Sequence, residues 1–364
     1  MLLCCFVILL RQQKCKFLSV LCGILSAAMR FTRTKKITFF NNKGGVGKTT
    51  LAYNTAVKFA EMGYKTVLVD LDPQCNLSQL SLGNLFEESI FSTDLDTVYT
   101  VISGILTGGR DVELNTRWHP INKNLFVLPG SLKLSSYENL LTTAYNQAAA
   151  GEEIGYFITS ALHRFLTERG LRDEIDLFVI DTSPSLGLLN RVIFLDTDYF
   201  VTPLMPDAFS LQGVENLGLT FEGWRENWKN TGRALARDVA SNKVLSGEAV
   251  FVGYILNSYN QYAKKPIKGH RIWMERIPST VKQFLSEKHT KNGLVEKSWS
   301  EPLMVIKDYG ELPADAQMHT KAIFNLDPQG KECSNIRGTL ENLEKSKEEF
   351  TKLSENIIGL LAKY

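Results

Sequence analysis

Residues 37–50 read Ile-Thr-Phe-Phe-Asn-Asn-Lys-Gly-Gly-Val-Gly-Lys-Thr-Thr, an apolar run that leads straight into a glycine-rich stretch. A helical pattern follows over residues 49–62 and stops before Gly63. A strand, a glycine-rich loop and a helix in this order are the context that a phosphate-binding loop requires. Glycines let successive backbone N–H groups converge on phosphate oxygens, and the helix N-terminus adds its positive dipole end. The stretch therefore predicts a phosphate site.

The loop departs from the standard phosphate-loop pattern at two positions. Asn42 stands where the first glycine belongs, and Lys43 adds a second lysine. By chemistry, Lys48 suits the β- and γ-phosphates, while the hydroxyl of Thr49 suits Mg²⁺. We expect the phosphates to contact Lys43, Gly44, Gly45, Val46, Gly47, Lys48, Thr49 and Thr50, with Thr50 at the α-phosphate.

The composition is that of an ordinary globular protein. The chain has 364 residues, of which 44% are apolar and 22% are charged, which excludes collagen-like and wholly disordered classes. No apolar run reaches the ~18 residues that span a bilayer, so a polytopic membrane protein is also excluded. The formal charge of +2 gives no argument for nucleic-acid binding, because residues 1–28 hold three basic residues and no acidic one.

Residues 1–28 form a leader with a basic segment, an apolar stretch and small residues at 26–28, as in signal peptides. Two interpretations stay open. Either the start codon is placed too early and the protein begins at Met29, or the leader is an anchor that leaves the body in the cytosol. Beyond the leader only Cys75 and Cys333 are cysteines, which gives no disulfide framework. We therefore expect a cytoplasmic protein, with nucleoid association possible for a DNA-binding one.

Short apolar runs alternate with longer helical patterns along the rest of the chain. This alternation predicts an α/β fold: a doubly wound, mostly parallel sheet with helices on both faces, as in P-loop NTPases. The runs have little polar alternation, as in strands covered on both faces. The candidate strands are residues 37–41, 66–70, 125–128, 177–181, 199–203 and 249–257.

The predicted domain organisation is simple. Residues 29–330 are expected to form one ATPase domain. Apolar residues recur at helical spacing over 340–362, so we expect residues 331–364 to add a C-terminal helix that packs on the domain. The polar face of this helix mixes Glu and Lys, unlike the basic face of membrane-surface helices. We do not expect membrane binding, except through the leader.

Two predicted strands end in carboxylates. Asp70 and Asp72 follow the second strand and Asp181 the fourth. In a doubly wound sheet, ligands lie at the carboxyl ends of the strands, which would bring these side chains beside the phosphate loop. We expect Asp181 in the shell of Mg²⁺ and Asp72 as the residue that orients water. Asp70 has two readings of similar weight: a site residue, or a strand-end carboxylate that bonds backbone N–H groups.

Three motifs together resemble the ParA/MinD family of deviant Walker A ATPases. They are KGGVGKTT at 43–50, VDLDPQ at 69–74 and IDTSPSL at 180–186. The similarity continues through FVTPLMPD at 200–207 and ERIP at 275–278, and it spans most of residues 36–326. Cys75 departs from the family, because partition ATPases usually have glycine there. The resemblance implies ATP and Mg²⁺ as cofactors.

The resemblance also implies roles for single residues. Lys43 would be the signature lysine that reaches the nucleotide of a second chain in an ATP-bound homodimer. Asp72 would activate water, and Asp181 would hold Mg²⁺ through water. Asn257 matches the position at which the family reads adenine with a side-chain amide, although asparagine after a strand is also a common turn residue. Pro278 would flank the base.

We therefore expect an ATPase that dimerises with ATP and hydrolyses it slowly to switch DNA or partner binding, in plasmid or chromosome partition or in cargo positioning. An activating adaptor or centromere-binding protein is the implied partner. The alternative is a ParA-like regulatory switch of a surface, secretion or defence apparatus, with slow or absent hydrolysis. A metabolic kinase would need an acceptor-site motif, and none is visible.

Two basic stretches bear on DNA binding. Residues 263–298 carry nine basic side chains against three acidic ones, and four further cations are Arg225, Lys229, Arg233 and Arg237. Such clusters can neutralise phosphates. They are equally typical of a solvated protein face.

Overall fold

The computed structural model describes residues 31, 33–90, 92, 94–259, 261–262, 265–266, 268–290, 299–334 and 339–362, with backbone elements alone over 258–271. The leader at 1–28 lies outside the described residues. The main strands are Lys35–Phe39 (β1), Thr66–Leu71 (β2), His119–Pro120 (β3), Leu125–Leu128 (β4), Leu177–Thr182 (β5), Tyr199–Leu204 (β6), Val250–Tyr259 (β7) and Met304–Lys307 (β10). Gln261–Tyr262 (β8) and Lys265–Pro266 (β9) form a separate antiparallel ribbon.

The main sheet has the strand order β10-β7-β6-β1-β5-β2-β4-β3. Every pairing in it is parallel except that of β3 with β4. The order reverses between β1 and its two neighbours, β5 and β6, so the phosphate loop after β1 lies at the topological switch point. The predicted doubly wound, mostly parallel sheet is confirmed.

Helices connect the strands and cover both faces of the sheet. They are Lys48–Glu61 (α1), Asn76–Leu82 (α2), Asn84–Ser89 (α3), Val98–Leu106 (α4), Leu134–Ala149 (α5), Glu153–Thr159 (α6), Ala161–Arg172 (α7), Leu188–Asp196 (α8), Ala208–Asn230 (α9), Gly232–Leu235 (α10), Lys268–Val281 (α11), Glu287–His289 (α12), Leu312–Met318 (α13) and Thr339–Leu361 (α14). Two hydrophobic cores form, one on each face of the sheet. This is why the strands are apolar on both sides.

Helix α14 packs its apolar side into the same core as α1 and the sheet. Phe350, Leu353 and Ile357 are buried there, and the side-chain amide of Asn356 donates to the carbonyl of Leu303 at 2.8 Å. Among the described residues, no helix combines the length and apolarity that a membrane crossing needs.

The close crossing of α9 with the turn after α11 depends on Gly218. A Cβ atom at Gly218 would lie 2.2 Å from the backbone carbonyl oxygen of Phe284, and backbone cannot swing aside as a side chain can. We expect Gly218→Ala to lower the free energy of unfolding by about 1–3 kcal/mol, measured by urea denaturation.

A matched control lies on the same helix. Gly223 is exposed, and a Cβ atom there would meet no atom of the described residues within 4 Å. Gly223→Ala is expected to raise stability by up to ~1 kcal/mol through helix propensity. Equal effects of the two substitutions would contradict the close crossing.

Candidate functional site

The glycine-rich loop joins β1 to α1 at the carboxyl end of the sheet. Gly45 and Gly47 have φ of 74° and 83°, a left-handed conformation that favours glycine. A Cβ atom at Gly47 would also lie 2.2 Å from Nδ2 of Asn257. Within the described residues no side chain caps the N-terminus of α1. The first backbone N–H groups of this helix can therefore donate to a ligand in the loop. This is the arrangement that binds phosphate.

Lys48, the first residue of α1, lies against the loop. Its side chain is buried, and Nζ donates to the carbonyl oxygen of Lys43 at 3.4 Å. Burial lowers the pKa of the Lys48 ammonium, and the carboxylates of Asp181 and Asp72 counteract that shift. The lysine is thus held close to two carboxylates inside the loop, where phosphates would add further negative charge.

Asp181 ends β5 opposite the loop. Its Oδ2 accepts a hydrogen bond from Oγ1 of Thr49 at 2.7 Å, while its Oδ1 is buried and has no hydrogen-bond partner among the described residues. Burial and the neighbouring Asp70 raise the pKa of Asp181 to about 7. A buried carboxylate oxygen without a partner, next to a threonine hydroxyl, fits the oxygen ligands that Mg²⁺ prefers. The residues present therefore fit a magnesium ion.

Asp72 follows β2 and lies at the same cavity as the loop. It is buried, and its Oδ1 accepts from the backbone N–H of Gln74 at 2.9 Å. The cavity has a volume of about 400 Å³, and its wall includes Lys48, Thr49, Asp72 and Thr182. The fold thus brings the predicted loop lysine, the predicted metal-side threonine and Asp72 to one space.

Asp70 has a structural position, in which its carboxylate binds groups of its own chain. It is fully buried and accepts hydrogen bonds from the backbone N–H and Oγ of Ser78, at 2.8 and 2.6 Å, and from the N–H of Asp72 at 3.1 Å. Ser78 Oγ in turn accepts from the N–H of Gly130 at 2.8 Å. Burial raises the pKa of Asp70 to about 6. Of its two readings, the geometry matches the strand-end carboxylate that bonds backbone N–H groups.

Lys43 makes its ion pair within its own chain. Its Nζ lies 2.5 Å from Oδ2 of Asp207, at the start of α9. The other oxygen of Asp207 caps α9 by accepting the N–H of Ser210 at 2.8 Å. The backbone N–H of Lys43 donates to Oδ1 of Asn41 at 2.8 Å, and Asn41 donates to the carbonyl of Pro203 at 2.6 Å. For Lys43 to reach a second chain, its pair with Asp207 has to open.

A second, smaller cavity abuts the first. It has a volume of about 160 Å³, and the two cavities share Gly45, Gly47, Thr50 and Pro313 as wall residues. If a nucleotide placed its phosphates in the loop, its base would lie in one of the two cavities, next to these shared wall residues.

The structure places Asn257 and Pro278 differently with respect to the two cavities. Asn257 lines the smaller cavity, and its Nδ2 donates to the carbonyl of Val46 at 2.8 Å. This leaves the amide oxygen as the acceptor, which suits the amino group of adenine. Pro278 lies inside α11 and lines neither cavity. Pro313, which sequence reasoning missed, lines both, and its place in the first turn of α13 was the signal available for it.

Several of the basic residues considered for DNA binding are engaged within the chain. Arg225 donates to two backbone carbonyls, Arg233 pairs with Glu248 at 2.6 Å, and Lys288 pairs with Glu222. The side chains at 264, 265, 268, 271, 291 and 297 lie outside the described residues. Three of the described cations in these two stretches, Arg225, Arg233 and Lys288, are therefore already engaged by groups of the same chain.

Comparison with known proteins agrees with this geometry. A family model described as an AAA domain matches residues 34–232. The chain is 32% identical over 235 residues to an uncharacterized protein of Methanocaldococcus jannaschii, covering 64% of this chain and 76% of that protein. It is 28% identical to the virulence plasmid ParA family protein pGP5-D of Chlamydia psittaci, covering 62% of this chain and 79% of that protein. It is 33% identical to the chromosome-partitioning ATPase Soj of Treponema pallidum, over 50% of this chain and 60% of that one.

Solved structures share the fold. A protein of Corynebacterium diphtheriae superimposes with a TM-score of 0.66 at 23% identity, covering 90% of this chain and 99% of that one. An ATP complex of a McdA variant from Cyanothece superimposes with a TM-score of 0.60 at 14% identity, covering 90% and 97%. At these identities the likeness extends to the fold alone.

Proposed function

Because the chain belongs to the ParA/MinD-like family of P-loop ATPases, we propose that it binds Mg·ATP, dimerises with it and hydrolyses it slowly to time its attachment to DNA or to a partner. The observation that carries the proposal is that Lys48, Thr49, Asp72 and Asp181 meet at one loop, and that Oδ1 of Asp181 is buried there without a hydrogen-bond partner in the described part of the chain. We further propose that residues 29–330 form the ATPase domain, on which the C-terminal segment 331–364 packs.

Each site residue has a chemical task in this proposal. The loop N–H groups and Lys48 bind and orient the phosphates. Thr49 and Asp181 would hold Mg²⁺, which when bound neutralises phosphate charge. Asp72 lies in the same cavity and would orient a water molecule. Asn257, with its amide oxygen available as an acceptor, would favour adenine over guanine, whose corresponding group is itself an acceptor.

Lys43 gives the proposed cycle its switch. In the single chain its charge is balanced by Asp207. A second chain that offered the triphosphate of its own nucleotide would compete with Asp207 for Lys43. A lysine delivered in this way stabilises charge on the transferring phosphoryl group. Hydrolysis would remove that attraction and let the Lys43–Asp207 pair form again, which would release the second chain.

Partition is the proposed setting, because two relatives carry partition names: a virulence plasmid ParA family protein and a chromosome-partitioning ATPase. A regulatory switch without DNA binding is the second candidate. It is favoured by the engagement of Arg225, Arg233 and Lys288 within the chain, since cations that already have partners contribute less to phosphate neutralisation.

Retention on non-specific duplex DNA separates the two candidates. The protein with Mg·ATP is expected to be retained and to lose this retention between about 50 and 200 mM salt, while the protein with ADP flows through. Retention is measured on a column of immobilised duplex DNA, and fluorescence anisotropy of labelled DNA measures the same binding in solution. Binding that is absent at the lower salt concentration with ATP would favour the regulatory switch and rule against non-specific DNA as the partner.

A further inference from the structure

The smaller cavity beside the phosphate loop is lined in part by α14. Its wall includes the loop residues Gly45 and Gly47 together with Asn257. It also includes the apolar residues Ile306, Ile323 and Phe350. Phe350 belongs to α14, which lies outside the matched range 34–232 of the AAA domain model. The site therefore draws a wall residue from a segment that the family model does not cover.

Phe350 is one of the apolar residues of this wall, with Ile306 and Ile323. Its side chain is 1% exposed, and its ring centroid lies 5.8 Å from that of Phe324. The ring is thus fixed by its packing in the core, and a small part of its surface borders the cavity. A rigid aromatic side chain at a cavity next to a phosphate loop is suited to a flat, apolar-faced group such as a nucleobase.

Glu349, the neighbouring residue, fixes a second part of the wall. It is buried, and its Oε2 accepts from the hydroxyl of Tyr309 and from the backbone N–H of Lys307 at 3.2 Å. Lys307, Asp308 and Tyr309 all line the cavity. Burial and the Glu349 carboxylate raise the pKa of Tyr309 above its usual range, so the hydroxyl keeps its proton and remains a donor. The carboxylate therefore ties the 307–309 segment to α14.

We propose that α14 is part of the nucleotide site: Phe350 packs against the base of the bound nucleotide, and Glu349 is a positioning residue that acts on the base wall through Tyr309. This inference rests on the proposed function, because it takes the phosphates to lie in the loop. It adds that the affinity for the base, separately from the affinity for the phosphates, is set by the C-terminal helix.

The experiment compares the dissociation constants of ATP and of inorganic tripolyphosphate, both with Mg²⁺, by calorimetry on the full chain. Tripolyphosphate occupies the loop and has no base. Phe350→Ala is expected to weaken ATP binding on the order of ten- to a hundredfold, the cost of removing an aromatic partner of a base. Tripolyphosphate binding is expected to change by less than about twofold. Glu349→Gln and Tyr309→Phe are expected to shift the same ratio in the same direction, by a smaller factor.

Leu353→Ala is the matched control, because Leu353 is buried on the same face of α14 and is not among the residues that line the cavity. It should leave the ratio of the two constants unchanged even if it lowers the melting temperature. If Phe350→Ala does not fold, Phe350→Leu and Tyr309→Phe serve in its place.

The outcomes are distinct. A Phe350 variant that weakens ATP and tripolyphosphate equally, or leaves both unchanged, overturns the inference while the proposed function stands. A wild-type chain that binds neither ligand overturns the proposed function, and the inference falls with it.

Discussion

Replacing Lys48 with alanine is expected to weaken ATP binding by about thirtyfold to a few thousandfold. The Lys48 side chain is buried at the N-terminus of α1, beside Asp72 and Asp181. Without its ammonium, the triphosphate would have to approach two carboxylates with no side-chain cation beside them. Removing one partner of a buried, hydrogen-bonded charge pair costs about 2–5 kcal/mol, and each 1.4 kcal/mol is a tenfold change in affinity. Calorimetric titration with a non-hydrolysable ATP analogue measures the loss.

Lys58→Ala is the control for charge and burial in the same helix. Lys58 is also buried, but it pairs with Glu61 at 2.8 Å and lies over the ring of Phe324 at 3.9 Å. It is expected to cost stability and to leave the affinity of the folded protein nearly unchanged. Tight ATP binding by a folded Lys48→Ala protein would refute the assignment of the loop.

Replacing Lys43 with alanine is expected to leave ATP binding within a fewfold and to abolish either dimerisation or turnover. Lys43 Nζ contacts Asp207 in the single chain, so this ammonium can be removed without emptying the loop of its own cation, Lys48. A cation supplied by a second chain is worth about 10³–10⁵ in the rate of phosphoryl transfer. The rate of phosphate release from Mg·ATP measures turnover, and light scattering in the presence of ATP measures dimerisation.

Asp207→Asn separates the two possible jobs of Lys43. If the lysine serves mainly to hold α9 through Asp207, both substitutions would reduce turnover alike. If it serves a second chain, Asp207→Asn frees it, and the variant is expected to dimerise at a lower ATP concentration than the wild-type protein. Dimers and normal turnover in Lys43→Ala would contradict the proposed role.

Much of the fold could be predicted because its strands are buried on both faces. The runs at 66–70, 125–128 and 177–181 lie within or coincide with β2, β4 and β5. The first strand is shifted by two residues, from 37–41 to Lys35–Phe39, since it begins with lysines that are buried; Lys36 pairs there with Asp196. A hydrophobic pattern cannot register a lysine whose partner lies 160 residues away.

Short edge elements escaped prediction for a different reason. β10 has four residues, MVIK, and β3 has two, one of them proline. Each depends on pairing with a longer neighbour and has too few residues to show a period. In the pairing of β6 with β7, Phe200 lies opposite Phe251, but the next residue, Val201, lies opposite Gly253. This shift of the strand register is likewise a property of the assembled sheet.

In the candidate site, too, the residues that are close in sequence could be predicted, and those that only the fold brings together could not. Residues of the loop are consecutive, so their roles could be predicted from order alone. The smaller cavity, in which we propose that the base lies, is lined by Asn257, Tyr309, Pro313 and Phe350, which come from separate segments. Proline at 278 was chosen by resemblance, but the fold places that residue in α11. The proline that lines the cavity is Pro313.

The position of Phe350 at the smaller cavity also constrains the order of events during synthesis. Gly45 and Phe350 are about three hundred positions apart in the sequence, yet both border one cavity. A polypeptide still attached to the ribosome can shape the phosphate loop early, but it lacks this wall residue until α14 has emerged and docked. Under our proposal, full affinity for ATP therefore requires that α14 has been made and folded. Because a ligand that binds only the native state stabilises it, cellular ATP would then favour molecules in which α14 is docked.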